Sequence, residues 1–322
     1  MLSLLVVLQA TLTIAVAGPP TSTEYLPLRV AAAEGYFAEE KLDVSIETTR
    51  AEAVAAEALG RQRVELAATS VDAALQLGHS GGKPPRLVFG FTAAPPVALL
   101  VPAARKDAIR SLADLVGQTV GISVPGSPGE LALLGALAQA RVAAHKVSIQ
   151  SLGDRGVVGA IEADTVAAGI VEDPWATRLV QAGQAAILAD FRRPSDAARW
   201  LGEPTVHAGL FVRSETRLRA AELVPLSRAL LRALKRIAAA EPGELEARLP
   251  AAVVGAPEDF ALRLAGARGG YLPDGWVTAD MLGASLALAR IRSPFAAKVN
   301  LPRSMSKLLL TDPLAQALGR QP

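Results

Sequence analysis

The stretch Ser111-Leu112-Ala113-Asp114-Leu115-Val116-Gly117-Gln118-Thr119-Val120-Gly121-Ile122, followed by Ser123-Val124-Pro125-Gly126-Ser127, decides the fold of this chain. It begins as a short helix capped at Ser111, continues as a strand over 119–123, and turns into a helix predicted over 129–141. The spacing of apolar residues then repeats the unit: extended at 147–152, helical at 154–163, a buried strand at 166–171 and a helix at 173–182. Ile187 and Leu188 add one more short strand. Strands alternating with helices predict an α/β chain with a mostly parallel sheet covered on both faces.

The same alternation runs upstream. A helix over 24–33 ends at Gly35, and Leu42, Val44 and Ile46 fall at strand spacing. An alanine-rich helix follows at 51–60, a short strand at 64–68, a helix at 71–78 and a strand at 86–91. At Ala93-Ala94-Pro95-Pro96 the pattern pauses, and a strand over 97–101 starts the second series. Near the other end of that series, residues 204–212 read as a strand, and everything beyond is helical in pattern. In the helix predicted over 215–240, Leu223, Leu226, Leu230, Leu234 and Ile237 share one face. Arg228, Arg232, Lys235 and Arg236 share the other, as a solvated exterior or as a docking surface.

With 322 residues, against ~100–200 per domain, the chain has the length of two compact lobes. Hydrophobic residues make up 51% and charged residues 20%, so enough apolar surface is available to offset chain entropy, and disorder is excluded. The 33 basic and 31 acidic side chains leave a formal charge of +2, too weak a field to hold a phosphate backbone, and no nucleic-acid partner is expected. Zero cysteines remove disulfides, thiolate metal sites and a cysteine nucleophile. His79, His145 and His207 are the only histidines, too scattered for a multi-histidine metal site; no metal or cofactor is expected.

The apolar residues 1–18 admit two readings. Ala15-Val16-Ala17 resembles a signal-peptide cleavage site, yet no Lys or Arg precedes the run, and Ser3, Gln9, Thr11 and Thr13 interrupt any membrane span. The alternation of Leu12, Ile14 and Val16, stopped by Gly18-Pro19-Pro20, reads instead as the first core strand. On that reading the remnant of an export signal precedes it, with any cleavage near Ala10.

Four local signatures resemble the periplasmic solute-binding proteins of ABC importers, of the nitrate, taurine and alkanesulfonate type. Glu34-Gly35-Tyr36-Phe37-Ala38-Glu39-Glu40-Lys41-Leu42-Asp43-Val44 is similar to that family's N-terminal pattern, with Lys41 where glycine is usual. Ala58-Leu59 with Val64-Glu65-Leu66-Ala67-Ala68-Thr69-Ser70 resembles a second segment, and 111–127 resembles the opening of the family's second lobe. Val171-Glu172-Asp173-Pro174-Trp175-Ala176 is similar to a fourth, with Asp173 inserted between acid and proline. The resemblance implies a two-lobed periplasmic-binding-protein-like fold. Lobe 1 would combine 11–94 with 208–322 and lobe 2 would span 97–203, with hinges near 93–96 and 204–207. It also implies an exported, periplasmic monomer that carries a small sulfonate, taurine or nitrate-like solute to an ABC transporter permease and its ATPase.

Ligands of open parallel sheets bind at the carboxyl ends of strands, where helix N-termini present unpaired N–H donors. Four loops qualify, supplying Thr21, Ser22 and Glu24; Thr69 and Ser70; Ser123, Gly126 and Ser127; and Glu172 with Trp175. Each residue also has a structural reading: Ser70 as a helix cap, Gly126 as a turn glycine, Trp175 as packing, His207 as an interior imidazole. Arg29 and Arg155 are the nearest cations for an anionic solute, whereas Glu24, Glu172 and Asp173 suit an amine, so a zwitterion accommodates both signs. No Gly-x-Ser-x-Gly elbow, phosphate-binding glycine loop or His-Glu-x-x-His motif occurs, and no enzyme activity is expected. The alternatives are a ligand-sensing subunit or a cytoplasmic enzyme on the same architecture, such as those of menaquinone synthesis or a pyrimidine synthase. The cysteine-rich segment of that synthase is missing here.

Overall fold

The computed structural model describes residues 11–77, 83–292 and 304–320. The segment assigned to an export-signal remnant therefore lies outside the described residues. Two five-stranded sheets organise the rest. The first has the order β2-β1-β3-β10-β4, with β1 at Leu12–Val16, β2 at Val44–Thr48, β3 at Leu66–Ser70, β4 at Arg86–Thr92 and β10 at Ala208–Val212. The second has the order β7-β6-β8-β5-β9, with β5 at Val97–Pro102, β6 at Thr119–Ile122, β7 at Ser148–Ser151, β8 at Ala168–Glu172 and β9 at Ala185–Asp190.

In each sheet one strand runs against its neighbours. β10 is antiparallel to both β3 and β4, and β5 is antiparallel to both β8 and β9. Connectivity explains this. The chain leaves the first sheet at the end of β4 and passes through 93–96, so β5 enters the second sheet at its cleft side and runs away from it. β10 is the reverse crossover, reached through 202–207. Sequence periodicity foresaw the parallel strands, which βα units dictate, but not these two returns.

β5 is buried along its whole length. Val97, Leu99 and Val101 pack into one apolar cluster with Leu133 and Leu137 of the helix Pro128–Gln139. Ala98 and Leu100 pack into another, with Val157 and Ile161 of the helix Asp154–Glu162. The period-two alternation of strand side chains thus divides the core of this sheet between its two faces. The first sheet has one large cluster, in which Ile14, Leu66, Phe89 and Phe211 meet Leu226 and Leu230 of the helix Ala220–Ala239.

The strand read at 204–212 begins only at Ala208, because 204–207 serves the crossover. There the Thr205 hydroxyl donates to the Ala93 carbonyl at 2.7 Å and the His207 amide donates to Thr92 at 2.8 Å. Ser285 binds the backbone N–H and C=O of Val206, at 2.9 and 2.8 Å. The basic face of the helix Ala220–Ala239 is neither bare nor solvated alone. Arg228 pairs with Glu40 at 2.6 Å, Arg232 with Glu39 at 2.6 Å and lies 4.1 Å over the Tyr36 ring, and Arg236 reaches Glu34 and Glu244. Among the described residues no helix is long and apolar enough to cross a membrane.

Gly209 of β10 admits no side chain: a Cβ there meets the Phe89 carbonyl oxygen and a Leu87 methyl, both at 2.9 Å. Backbone of a central strand cannot retreat, so Gly209→Ala is expected to cost ~1–3 kcal/mol by overpacking. Urea unfolding followed by circular dichroism reads this directly, and an unchanged midpoint contradicts it.

Candidate functional site

The carboxyl ends of β1, β3, β6 and β8 converge on a cavity of about 760 Å³. That lies within the ~300–1,000 Å³ of small-molecule sites. The first sheet's side supplies Thr21, Ser22, Glu24, Glu52, Ser70 and His207, and the second sheet's side supplies Ser123, Gly126, Ser127, Asp154, Glu172 and Trp175. Ten of the eleven residues singled out in the sequence therefore share one chamber.

Thr69 is the exception and a correction to the sequence reading. It is fully buried, and its hydroxyl is held 2.7 Å from a Glu52 carboxylate oxygen and 2.9 Å from the Glu52 carbonyl. β3 runs two residues further than the pattern suggested, so Thr69 faces the helix Glu52–Gly60 rather than the opening. Arg29 is likewise withdrawn from the site. Its guanidinium donates to Thr48 at 2.6 Å, whereas Arg155 is on the wall.

Glu52, unremarked in the sequence, is the anchor of the first wall. Its carboxylate accepts from the Tyr25 hydroxyl at 2.9 Å, from Thr69, and from the Ser70 amide at 2.5 Å. Burial raises its pKa, opposed by His207, Thr69 and Ser70. The only signal for it was an acid in the first turn of a predicted helix, which macrodipole stabilisation explains equally well. Glu24 uses one oxygen to accept from the Ser22 hydroxyl at 2.6 Å; its other oxygen lies 3.8 Å from His207 Nε2. Burial pushes the Glu24 carboxyl up, but His207 and the Ser22 hydroxyl outweigh it and hold it below the ordinary value.

Across the cavity, Ser70 and Ser127 serve as helix caps, accepting from the amides of Ala73 at 3.3 Å and Glu130 at 3.2 Å. Gly126 takes φ +84° and its amide donates to Glu130 at 2.6 Å, so this turn closes on its own helix. Trp175 leads the helix Trp175–Gln181 and is 38% exposed, with the Arg178 guanidinium 5.3 Å from its ring centre. It is a wall residue, not core packing. Asp173, inserted before the proline, lines the cavity with its carboxylate engaged by the chain itself: it accepts from the Thr177 hydroxyl at 2.7 Å and pairs with Arg192 at 3.0 Å. Its Oδ2 abuts Gly266 of the helix Pro257–Arg268, and Arg178 pairs with Asp259 of the same helix, joining the two sides.

Glu172 is left facing the opening. Desolvation between the walls, together with the charges of Glu24, Asp154 and Asp173, pushes its carboxyl up to about 8. The side chain is exposed to the open cleft, so water there screens part of this repulsion. Among the described residues no group of three or more His, Asp or Glu side chains is placed to hold a metal ion.

Two helix-flanked sheets with a cavity between their strand ends define a two-lobed periplasmic-binding-protein fold. A family model described as NMT1/THI5 like matches residues 22–244, and the chain belongs to that family. A solved structure from Bordetella bronchiseptica RB50 is similar at 25% identity and TM-score 0.75, covering 97% of this chain and 98% of that one. The alkanesulfonate-binding protein SsuA from Xanthomonas axonopodis pv. citri, bound to MOPS, is similar at 21% identity and TM-score 0.65, covering 94% and 98%. The periplasmic nitrate-binding protein NrtA from Synechocystis PCC 6803 is similar at 13% identity and TM-score 0.61, covering 96% and 89%. A search of curated proteins found no match.

Raising the folded-state pKa of Glu172 above its ordinary 4.5 makes ionisation unfavourable to folding. The contribution is neutral below pH 4.5, where both states are protonated, and grows more destabilising up to about pH 8. Glu172→Gln is therefore expected to melt with the wild type at pH 4 and above it at pH 8.5. The gain is about 2–4 °C if about 1 kcal/mol survives screening. Melting curves at the two pH values check this, and a variant less stable at pH 8.5 contradicts it.

Proposed function

We propose that the chain is the solute-binding component of an ABC importer, exported and monomeric. It captures a small polar solute between two closing lobes and delivers it to a membrane permease and its ATPase. The carrying observation is the cavity, whose walls come from both sheets and whose size suits a small molecule. The proposed lobes are 11–94 with 208–322, and 97–203. Their hinges are 93–96 and 204–207, the paired crossovers where the two sheets exchange chain.

Thr21, Ser22, Glu24, Ser70, Ser123, Gly126, Ser127, Glu172, Trp175 and His207 form the proposed binding surface. The alkanesulfonate- and nitrate-binding proteins of similar fold support a solute of the sulfonate, taurine or nitrate class. The N-terminal residues of three helices, at Glu52, Pro128 and Asp154, reach the wall, and their dipoles favour an oxyanion. Within the class, the carboxylates around the opening weigh against a bare anion such as nitrate and favour an amino-sulfonate.

A second reading, an enzyme on the same architecture, draws support from Glu172, whose pKa near 8 suits proton transfer at neutral pH. Thermal-shift screening against sulfonates, nitrate, amino acids and pyrimidines separates the two, since a solute that binds only the native state raises its melting point. Stabilisation without turnover is the expected result, and product formation at catalytic rates rejects the carrier. Trp175→Ala is expected to weaken binding roughly threefold to tenfold, the loss of one aromatic contact, while leaving the melting point of the free protein unchanged. Unaltered affinity removes Trp175 from the site. Cell fractionation tests export.

A further inference from the structure

The charges on the cavity wall are unequal in sign. Glu24, Glu52, Asp72, Asp154, Glu172 and others face Arg155 and Arg263. Several of these acids are structurally committed. Glu52 is spent on Tyr25, Thr69 and Ser70, Asp173 on Thr177 and Arg192, and Asp259 on Arg178. Two are not. No hydrogen bond or ion pair reaches the Glu172 carboxylate among the described residues, and its charged neighbours are themselves acidic: Glu24, Asp154 and Asp173. Glu24 satisfies one oxygen through Ser22 and turns the other towards His207 Nε2, at 3.8 Å and beyond hydrogen-bond reach.

His207 supplies an independent observation. Its side chain is only 8% exposed, it lines the same cavity, and its Nε2 has no hydrogen-bond partner. A buried ring nitrogen left unpaired is costly, and such an orphan calls for a partner. An ammonium group carries three donors and no acceptor. A group of that kind offers donors to Glu24 Oε1 and to the Glu172 carboxylate, which line the same cavity beside the unpaired Nε2 of His207. An anion at the same place adds a like charge beside two carboxylates.

We propose that the solute carries a protonated amine or amidine, held between Glu24 of one lobe and Glu172 of the other beside His207. This rests on the solute-binding reading and narrows its ligand to a cationic or zwitterionic class. Lobe closure then acquires an electrostatic cause. A cation between Glu24 and Glu172 favours the ionised form of both and draws the two walls together, so a filled cleft is biased closed.

The test uses the full chain and probes matched in skeleton but not in charge. Ethylamine, putrescine, benzamidine and taurine are set against ethanesulfonate, propionate and nitrate in thermal-shift and calorimetric titrations. At least one amine is expected to raise the melting point by several degrees, with ethanesulfonate silent. Glu172→Gln and, separately, Glu24→Gln are each expected to weaken that amine by at least about tenfold. Glu172 is exposed, so its variant folds, and its own melting curve verifies this. Ethanesulfonate binding as tightly as taurine, or amine binding unaltered in both variants, overturns the amine assignment while leaving a solute-binding protein. Stabilisation by the anions alone has the same meaning, whereas silence from every probe and from the wider screen overturns both readings.

Discussion

The molecule depends on a chain that crosses between two sheets twice at one place. Because both crossovers leave and enter at the strand ends facing the cleft, the first strand after each crossing must run backwards, which is why β5 and β10 oppose their neighbours. Thr205 bonded to Ala93, and His207 to Thr92, keep the two passages side by side. The remaining strands point their carboxyl ends at the gap. Their loops and helix N-termini therefore assemble a polar cavity without any one segment being built for it.

Polar accounting separates scaffold from site. Glu52 and Asp173 are enclosed in hydrogen bonds whose donors belong to the chain itself, and they hold loops in place. Ser70 and Ser127 do the same at helix starts. Glu24, His207 and Glu172 differ: on the cavity wall, Glu24 Oε1 and His207 Nε2 face each other at 3.8 Å without a hydrogen bond, and among the described residues no partner reaches the Glu172 carboxylate. Structural support and the proposed recognition thus fall on neighbouring residues of the same loops, with the number of internal partners separating them.

Much of this was legible in residue order. Leu12, Ile14 and Val16 declared a strand by alternation; Gly35 and the turn at Gly126 marked ends; Ala93-Ala94-Pro95-Pro96 marked the break between the two series. Other features were hidden. Thr69 and Arg29 sit close in sequence to residues of the wall, yet β3 turns the threonine to Glu52, and Thr48 retains the arginine. The arginines of the helix Ala220–Ala239 looked like an open surface because their acids, Glu34, Glu39 and Glu40, lie 188 to 202 positions earlier.

By itself the sequence determined the order and type of the elements, since apolar periodicity and turn residues are local consequences of backbone geometry and burial. It also determined which loops carry polar side chains at strand ends. Tertiary structure alone decided the antiparallel returns, the partners of each acid, and the orphaned Nε2 of His207. Those depend on distances between residues far apart in the chain, and a carboxylate's role is fixed by whether a donor stands within about 3 Å of it.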